Sequence, residues 1–488
     1  MEDGRESFTG IRASDHALID TIVSYCSRSV YLRLGHSLKM TDTRHNRATT
    51  ALELFERGQL PEALSAIDAA IAAAPGLTGA YNTRGLILAA LNDGAGAVAA
   101  YSRVLAEMPH HADALTNRGS ALLKLGQYDT AMIDLEAAAA AHPAYATAHF
   151  NLARGYAVLS RVDDALASYD RALVLSPGDA KTLWAKGVVQ LLGGDFAEGW
   201  VNYNSRWQAP SFGNSAPRDF GVRYTGAEPL SGRTLFVHAE QGFGDTIQFC
   251  RYIPLLAAQG ARVLFMAQPE LIGLLTASEL PCTLYTPGAS MPRFDYHIPL
   301  LNLPAALKTT LSNIPTDVPY LATPPEKQAR WNAVLGVRTR PRIGIAWSGR
   351  RSHCDDHLRS MAVEAFAPLF ALDAELHVLQ TDLTDAERAF LTDKARIFDV
   401  ADRDFGDAAA HVAAMDHVLT VDTSLGHLAG ALAKPVSILL SAAPDFRWML
   451  ERSDSPWYPT ARLIRQSAFG RWDDAIAAAL KILKETLL

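Results

Sequence analysis

The polar residues Asp422, Thr423 and Ser424 stand where a parallel α/β sheet would bind a ligand. An apolar run, His417 to Val421, precedes them, and leucines and alanines at helical spacing follow them. Val436 to Leu440 is a second apolar run. This pattern predicts a strand, a polar turn, a short helix and a strand, which together form a βαβ unit. The three polar residues then lie at the carboxyl end of a strand, where open α/β sheets bind ligands.

The chemistry that this turn offers is recognition of anions and hydroxyl groups. Free backbone N–H groups at the start of the helix, with the hydroxyls of Thr423 and Ser424, suit a phosphate or a diphosphate. Asp422 suits a ribose or sugar hydroxyl better, because a carboxylate only accepts hydrogen bonds. The alternative is that the three residues merely cap the helix, as such residues usually do. The local pattern leaves both interpretations open.

A second polar turn, Glu240 to Asp245, joins an apolar run at Thr234 to Ala239 to a helical pattern that we place at Thr246 to Ala258. Gly242 and Gly244 allow a tight turn and the close approach of a ligand. Asp245 falls at the predicted start of the helix. Its carboxylate could face a substrate or could serve only as an N-cap.

A third loop carries positive charge. It runs from Ser348 to Ser360 after the predicted strand Arg342 to Trp347, and it contains Arg350, Arg351 and Arg359. A helix terminus contributes roughly 0.3–2 kcal/mol toward an anion, whereas micromolar binding needs about 8 kcal/mol. Cations must therefore supply much of the rest, and these arginines are the candidates, although each could equally be a solvated surface residue.

The segment from Asp422 to Leu428 resembles the D-T-G-x-x-H-L signature of the bacterial heptosyltransferases, enzymes with two Rossmann-like halves in the GT-B fold. Ser424 stands where that signature has Gly. Because its side chain narrows access to the backbone, the donor need not be ADP-heptose. The resemblance implies that Asp422, Thr423, Ser424 and His427 bind a nucleotide sugar.

The second turn extends the resemblance. The sequence EQGFGDTIQFCRYIPLL, which begins at Glu240, is similar to the first loop of bacterial tetratricopeptide-repeat glycosyltransferases, and Gly244-Asp245 matches the G-D pair of the heptosyltransferases. The resemblance implies that Asp245 is the catalytic base, which takes a proton from an acceptor hydroxyl while the anomeric carbon inverts. Such a base needs a closed, partly dry cleft. Glu240 is the second candidate base.

In the repeat-containing family the patterns I-G-x-A-W-x-G, R-S and L-Q recur, and they match residues 343–349, 359–360 and 379–380. They imply further nucleotide-sugar contacts at Ser348, Arg359 and Gln380. The turn glycines Gly242 and Gly244 and the loop cation Arg350 complete the predicted nucleotide-sugar site. Two stretches, 353–357 and 402–404, contain the His and Asp residues that are typical of metal-binding sites, and we call them the metal-like stretches. The related enzymes stabilise the leaving diphosphate with helix dipoles and side chains, so we interpret both as polar loops and expect neither a metal nor another cofactor.

The first half of the chain is repetitive. Prolines fall every 34 residues, at Pro75, Pro109, Pro143 and Pro177, and alanines and glycines keep the same interval. This period predicts tetratricopeptide repeats, four of them with a partial fifth that ends near Trp207. Such repeats stack into a solenoid whose groove usually binds a peptide, although a scaffold or dimerisation surface is the alternative.

Asn117 and Asn151 occupy the same position in two successive repeats. A side-chain amide can both donate to and accept from a peptide backbone. The pair resembles the asparagine ladder in the repeats of O-GlcNAc transferases, with only two rungs present. The resemblance implies that the two asparagines line an acceptor groove.

Composition excludes several classes of function. The chain has 45 Lys+Arg against 52 Asp+Glu and no strongly basic block, which disfavours nucleic-acid binding. Its four cysteines have no C-x-x-C spacing, so neither a disulfide framework nor a zinc site is predicted, and a reducing cytoplasm is expected. The longest apolar runs are too short for a membrane-spanning helix.

Together these features predict an α-solenoid followed by a GT-B fold. We expect an N-terminal extension, tetratricopeptide repeats, a linker, an acceptor-side Rossmann-like domain and a nucleotide-sugar-binding Rossmann-like domain at 1–43, 44–207, 208–232, 233–330 and 331–488. The first 40 residues lack both the repeat pattern and the apolar core of a signal peptide. Met40 is therefore a hypothesis for the true start.

The predicted function is glycosyl transfer from a nucleotide sugar to a protein acceptor that the repeats recruit, by a cytoplasmic, inverting and metal-independent enzyme. Flagellin is an acceptor suggested by family analogy. The principal alternative is a non-catalytic tetratricopeptide scaffold with a degenerate glycosyltransferase domain, for which Ser424 is the first indication. A second alternative is a glycan-directed transferase with a lipid-linked acceptor.

Overall fold

A computed structural model of the protein describes residues 43–209, 220–290, 292–351, 356–399 and 403–487. They divide into two compact units. The repeat unit comprises 43–190 and 205–209, and the α/β unit comprises 191–204 and 220–487. The hypothesis on Met40 lies outside the described residues, as do His353 and Asp402 of the metal-like stretches.

The repeat unit is a succession of helices that each span 13 or 14 residues. They are α1 (Thr43–Glu56), α2 (Leu60–Ala73), α3 (Thr78–Ala90), α4 (Gly94–Glu107), α5 (Ala112–Lys124), α6 (Tyr128–Ala141), α7 (Ala146–Val158), α8 (Val162–Leu175) and α9 (Ala180–Gly193).

Small residues at the 34-residue interval let these helices pack closely, as the sequence predicts. A Cβ atom on Gly119 would lie 2.7 Å from Cγ of Leu135, and one on Gly85 would lie 2.4 Å from the ring of Tyr101. The alanines of the same register are fully buried, at Ala63, Ala97, Ala131 and Ala165. Larger side chains at these positions would force the helices apart.

The α/β unit includes the last three residues of α9, 191–193, followed by α10 (Phe196–Tyr203), and it contains two sheets. The elements around the first sheet are β1 (Thr234–His238), α11 (Phe243–Phe249), α12 (Ile253–Ala258), β2 (Arg262–Met266), α13 (Ile272–Ala277), β3 (Thr283–Tyr285), β4 (Tyr296–Pro299) and α14 (Leu303–Ala306).

The elements around the second sheet are α15 (Pro325–Leu335), β5 (Arg342–Ala346), α16 (Asp356–Arg359), β6 (Glu375–Val378), α17 (Asp385–Leu391), α18 (Phe405–Ala413), β7 (His417–Val421), α19 (Ser424–Ala431), β8 (Val436–Leu440), β9 (Ala461–Arg465) and α20 (Asp473–Leu487).

Both sheets are parallel, with strand orders β3-β2-β1-β4 and β6-β5-β7-β8-β9. The turns after β1, β5, β7 and β8 therefore emerge at the carboxyl edges of their sheets. Every residue of β5, β7 and β8 is buried, which explains why these strands are continuous apolar runs without alternation. The prediction of a repeat solenoid followed by a parallel α/β region is confirmed.

Two local predictions were wrong, and one strand was not predicted. The helix predicted at Thr246 to Ala258 is split into α11 and α12, because Pro254 lies in the first turn of α12 and has no N–H to continue a helix. The strand β9 was missed, since its exposed Arg462 interrupts the apolar run. The sequence also favours Asp407 as the cap of a helix over Ala408 to Met415, but α18 begins earlier. The carboxylate of Asp404 caps it and accepts the N–H of Asp407 at 3.0 Å.

Within the described ranges, no helix combines the length and the apolar character needed to cross a membrane.

Candidate functional site

The helices that follow β1 and β7 pack directly against each other. A Cβ atom on Gly244, in α11, would lie 3.0 Å from Cδ2 of His427 and 3.5 Å from Cα of Ser424, both in α19. The sequence predicted that Gly244 admits a ligand. In the structure the absence of a side chain admits the neighbouring helix, so the turns of the two sheets meet at this point.

Asp245 lies at this contact and is almost completely buried. One carboxylate oxygen accepts the backbone N–H of Gly242 at 2.9 Å, and the other accepts a guanidinium N–H of Arg447. Asp245 is the third residue of α11, and its hydrogen bond to Gly242 secures the start of that helix. Asp245 therefore forms a buried ion pair that joins the part of the α/β unit built on the first sheet, here called its first half, to the part built on the second sheet, its second half.

Arg447 makes contacts in three directions from the turn after β8. Its Nη1 donates to Asp445 at 2.8 Å and its Nε donates to Gln248 at 2.6 Å, while Nη2 donates to Asp245. Burial lowers the pKa of Arg447, but the charges of Asp445 and Asp245 outweigh burial and raise it above its ordinary value. Arg447 is thus a permanent cation that binds α11 of the first half to the second half.

Asp422 is partly buried at the carboxyl end of β7. Burial raises the pKa of its carboxyl group, and the negative charge of Asp445 raises it further. The charges of Arg359 and Arg447 oppose this shift. Asp422 therefore has a higher proton affinity than an ordinary aspartate, and it lies among charges of both signs.

Thr423 is the N-cap of α19, as the capping interpretation predicted. Its Oγ1 accepts the N–H of Leu425 at 3.3 Å and lies 3.2 Å from Oγ1 of Thr420. Ser424 is the first residue of the helix. Because α19 begins shortly after β7 ends, its amino end lies at the carboxyl edge of the second sheet whichever residue caps it.

His427 is held as a neutral ring. Its Nδ1 lies 2.9 Å from the hydroxyl of Tyr458, and the ring stacks on Trp448 at a centroid distance of 5.1 Å. Burial lowers the pKa of His427 to about 3. His427 therefore brings no positive charge to a phosphate at neutral pH, and the contacts that surround it are those of a packed core residue.

Gln380 supports the loop after β5. Its Oε1 accepts the N–H of Ser348 at 3.1 Å, and its Nε2 donates to Oγ of Ser348 at 2.7 Å and to the carbonyl of Asp382 at 3.2 Å. The sequence predicted that Gln380 touches the nucleotide directly. Because both ends of its amide are engaged within the protein, its structural effect is to fix Ser348.

The arginines of this loop differ in their surroundings. Arg359 is partly buried and its Nε lies 3.4 Å from Asp356. Gly349 packs against the Arg359 guanidinium, since a Cβ atom there would lie 2.9 Å from Nη2. Arg351 is paired with Glu387 at 2.6 Å, whereas Arg350 is exposed. Arg359, whose charge acts on Asp422, is therefore the arginine of this loop that belongs to the same cluster.

Glu240, the second candidate base, is partly buried in the turn after β1. Its Oε1 accepts the N–H of Leu301 at 3.2 Å, in the segment that follows β4. This hydrogen bond ties together the exits of two neighbouring strands. The structure thus places Glu240 at the carboxyl edge of the first sheet, in contact with the segment that follows β4.

The two asparagines predicted to line a groove are buried within the repeat unit, each 7% exposed. The side-chain oxygen of Asn151 accepts hydrogen bonds from Ser120 at 3.2 Å and from Arg154 at 2.9 Å, and its nitrogen donates to the carbonyl of Thr147 at 3.0 Å. Asn151 therefore stabilises the packing of successive repeats.

The described part of the second metal-like stretch has other roles. Arg403 donates to Nδ1 of His411 at 3.0 Å, and Asp404 caps α18 and pairs with Lys327 at 2.5 Å. Among the residues that the structure describes, no group of three His, Cys, Asp or Glu side chains could hold a metal ion.

Sequence reasoning did not identify the bridging role of Arg447 or its partner Asp445. The strand order could have located them. Residues 446–448 follow β8 and Asp422 follows β7, and because these neighbouring strands are parallel, both turns lie at the same edge of the sheet. Arg251 was also missed. It is buried, donates to the carbonyl of Trp457 at 2.7 Å, and so also links the two halves.

Comparison with known proteins identifies the repeat half. A family model of the tetratricopeptide repeat matches residues 49–112, 82–146 and 116–180, so this half contains tetratricopeptide repeats, which are typical of protein-interaction scaffolds. Protein FlbA of Caulobacter vibrioides is 26% identical over 470 residues, which cover 89% of this chain and 72% of FlbA. At that coverage the similarity extends over both units.

Two solved structures are similar to part of the chain. MamA 41-end from Desulfovibrio magneticus RS-1 is 24% identical, with 37% of this chain and 99% of that chain covered and a TM-score of 0.30. A thermophilic TPR protein in Thermus thermophilus is 21% identical, with 34% and 92% covered and a TM-score of 0.32.

Proposed function

We propose that the α/β unit is a glycosyltransferase of the GT-B type that uses a nucleotide sugar, inverts the anomeric carbon and needs no metal ion. The observation that carries the proposal is one charge cluster built by both sheets. Asp245 comes from the first sheet, Asp422 and Arg447 come from the second, and all three stand at carboxyl edges. Parallel α/β enzymes place their reactive groups at such edges.

The second sheet would bind the donor. The amino end of α19, with Thr423 and Ser424, offers N–H and hydroxyl groups to a diphosphate. Arg359 and Arg350 supply the positive charge that a helix terminus lacks. Asp422 would accept a hydrogen bond from a sugar or ribose hydroxyl.

The first sheet would supply the base. Arg447 lies directly against the buried carboxylate of Asp245. A neighbouring cation favours the charged form of a carboxylate, which is the form a base needs before reaction. To accept a proton from the acceptor hydroxyl, Asp245 must exchange its contact with Arg447 for one with the substrate. Attack from the face opposite the leaving diphosphate would then invert the anomeric carbon.

The repeat unit would recruit the acceptor. Tetratricopeptide repeats bind peptides, so a protein acceptor is favoured over a free glycan, and flagellin is the first acceptor to test by family analogy.

A non-catalytic scaffold is the second candidate, and a specific observation favours it. The carboxylate of Asp245 is fully engaged by Arg447 and Gly242, and His427 carries no charge. A protein that had lost turnover could retain these contacts as a structural core.

Release of nucleoside diphosphate from a panel of nucleotide sugars tests the proposal. The full chain should release diphosphate with or without EDTA, and Asp245→Asn should lower the rate at least a hundredfold, as loss of a general base does. The matched control Asp454→Asn, an exposed residue of the same unit, should retain the rate. Flagellin from the reaction should gain the mass of one sugar. A chain that releases no diphosphate from any donor would refute the enzyme and favour the scaffold.

A further inference from the structure

Helix α10 carries three aromatic residues on one face, at helical spacing: Phe196, Trp200 and Tyr203. All three are almost completely buried. The ring of Trp200 lies at a centroid distance of 6.1 Å from Phe249, in the first half of the α/β unit, and of 5.7 Å from Phe446, in the second half. Helix α10 therefore packs against both halves.

The sequence of α10 keeps the register of the repeats. Gly199 takes the place of the buried alanines that recur every 34 residues, and a Cβ atom on it would lie 2.8 Å from Cγ of Leu191. Tyr203 lies four residues later, where the earlier repeats have aliphatic or aromatic side chains. These are Ile67, Tyr101, Leu135 and Tyr169. Since two of them are aliphatic, helix packing in a repeat does not require a hydroxyl group at this position.

The hydroxyl of Tyr203 is used within the α/β unit. It accepts a hydrogen bond from Nε2 of Gln241 at 3.1 Å, and both side chains are buried. Gln241 directly precedes Gly242, whose N–H donates to the carboxylate of Asp245 at 2.9 Å. Tyr203 therefore holds the turn beside the contact that orients Asp245.

A second glutamine holds the same turn from within the first half. Nε2 of Gln268 donates to the backbone carbonyl of Gln241 at 2.8 Å, and its Oε1 accepts the hydroxyl of Thr246 at 2.9 Å. Gln241 and Thr246 flank the residues 242–245. The turn that carries Asp245 is thus fixed at both of its ends, and Tyr203 contributes a hydrogen bond from outside the first sheet.

Tyr203 also contacts the chain beside the ion-pair partner of Asp245. Its ring lies at a centroid distance of 5.7 Å from that of Phe446, the residue before Arg447. One buried side chain therefore touches the sequence neighbours of both the carboxylate and the guanidinium. This arrangement lets α10 fix the two members of the ion pair relative to each other.

We propose that Tyr203 is a positioning residue for Asp245, the base of the proposed reaction, and that it acts through Gln241. The inference rests on the proposed function and adds to it a residue that belongs to neither sheet. Displacement of a reacting group by about 1 Å can cost about a hundredfold in rate. Donor binding, which we assign to the second sheet, does not involve Gln241. Loss of the hydroxyl should therefore lower kcat and leave KM for the donor unchanged.

Steady-state kinetics of the full chain test this assignment, with diphosphate release measured from UDP-glucose, GDP-mannose, ADP-glucose and dTDP-glucose. Tyr203→Phe keeps the ring and removes the hydroxyl. With the donor that reacts, this variant should lose about tenfold or more in kcat, while KM stays within about twofold. Gln241→Met breaks the same hydrogen bond from the other side, should have the same effect, and replaces Tyr203→Phe if that variant does not fold.

The double variant, Tyr203→Phe with Gln241→Met, distinguishes positioning through Gln241 from two separate effects. Its loss of kcat should not exceed the larger single loss, whereas independent losses would multiply to about a hundredfold or more. Tyr296→Phe is the matched control, because Tyr296 begins β4 and so lies at the opposite edge of the first sheet. Its kcat should equal that of the natural chain.

Four results would overturn the assignment while the proposed function stands. They are an unchanged kcat in Tyr203→Phe, an equal loss in Tyr296→Phe, multiplied losses in the double variant, and a rise in KM in place of the fall in kcat. A natural chain that releases no diphosphate would overturn the proposed function and this assignment with it.

Discussion

Replacement of either member of the Asp245–Arg447 ion pair should destabilise the α/β unit strongly. Each side chain is only 2% exposed, so water cannot solvate the partner that remains. Removal of one member of a buried pair typically costs about 3–5 kcal/mol. In Asp245→Asn, Arg447 keeps Asp445 as a counter-ion, so we expect a loss near the lower limit, about 3 kcal/mol.

Arg447→Met should cost more, about 4 kcal/mol, because it leaves both Asp245 and Asp445 without their cation. The double variant Asp245→Asn with Arg447→Met removes the charges together. Its loss should fall below the sum of the single losses by about 2–3 kcal/mol, since the two residues are in direct contact.

Guanidinium denaturation followed by tryptophan fluorescence measures these values. Six of the eight tryptophans lie in the α/β unit, so the signal reports mainly on that unit. Asp454→Asn is the matched control: its pair with Arg452 is exposed, and its loss should stay within about 1 kcal/mol. A loss below about 1 kcal/mol in Asp245→Asn, or additive losses in the double variant, would refute the buried bridge.

Two further predictions concern pH and helix packing. Burial lowers the pKa of His377 and His417 to about 4 and that of His427 to about 3. Below pH 6.5 the unfolded chain thus binds more protons than the folded chain, and stability should fall by up to about 1.4 kcal/mol per pH unit for each histidine between about pH 6 and pH 4. Denaturation midpoints measured at pH 7, 6 and 5 check this, and equal midpoints would contradict it. Gly244→Ala should cost about 1–3 kcal/mol by forcing α11 away from α19, because its Cβ would lie 3.0 Å from His427. Gly273→Ala is the control, because its Cβ would lie at an ordinary 3.5 Å from the nearest atom, and its melting temperature should stay close to that of the natural chain. Equal losses of stability in the two variants would contradict the packing argument.

The sequence determined most of the scaffold because its signals are local. The 34-residue interval arises from small residues, such as Gly119, that each repeat needs at the same helix contact. The strands β7 and β8 have the predicted bounds because both are buried on two faces, which requires an unbroken apolar run. Edge strand β9 does not need an unbroken apolar run, and its exposed Arg462 interrupts the apolar pattern by which a strand is recognised.

The partners within the site could not be predicted, because they are distant in sequence. Asp245 and Arg447 are 202 residues apart, and no feature near either one indicates the other. Gly244 was interpreted as an opening for a ligand, since a turn sequence does not reveal that another helix fills the space. The capping role of Thr423 was foreseeable, because it depends only on the residues beside it.

The measurement that tests the central claim most directly is thermal stabilisation of the full chain by UDP, GDP, ADP, CMP and dTDP, with Asp422→Asn as the comparison. If the turn after β7 binds a nucleotide, one of these ligands at 100 times its dissociation constant should add about 2.7 kcal/mol of stability. That stabilisation should be lost or strongly reduced in Asp422→Asn. Failure of every nucleotide to stabilise the natural chain, or equal stabilisation of the variant, would contradict a nucleotide-sugar site at this turn.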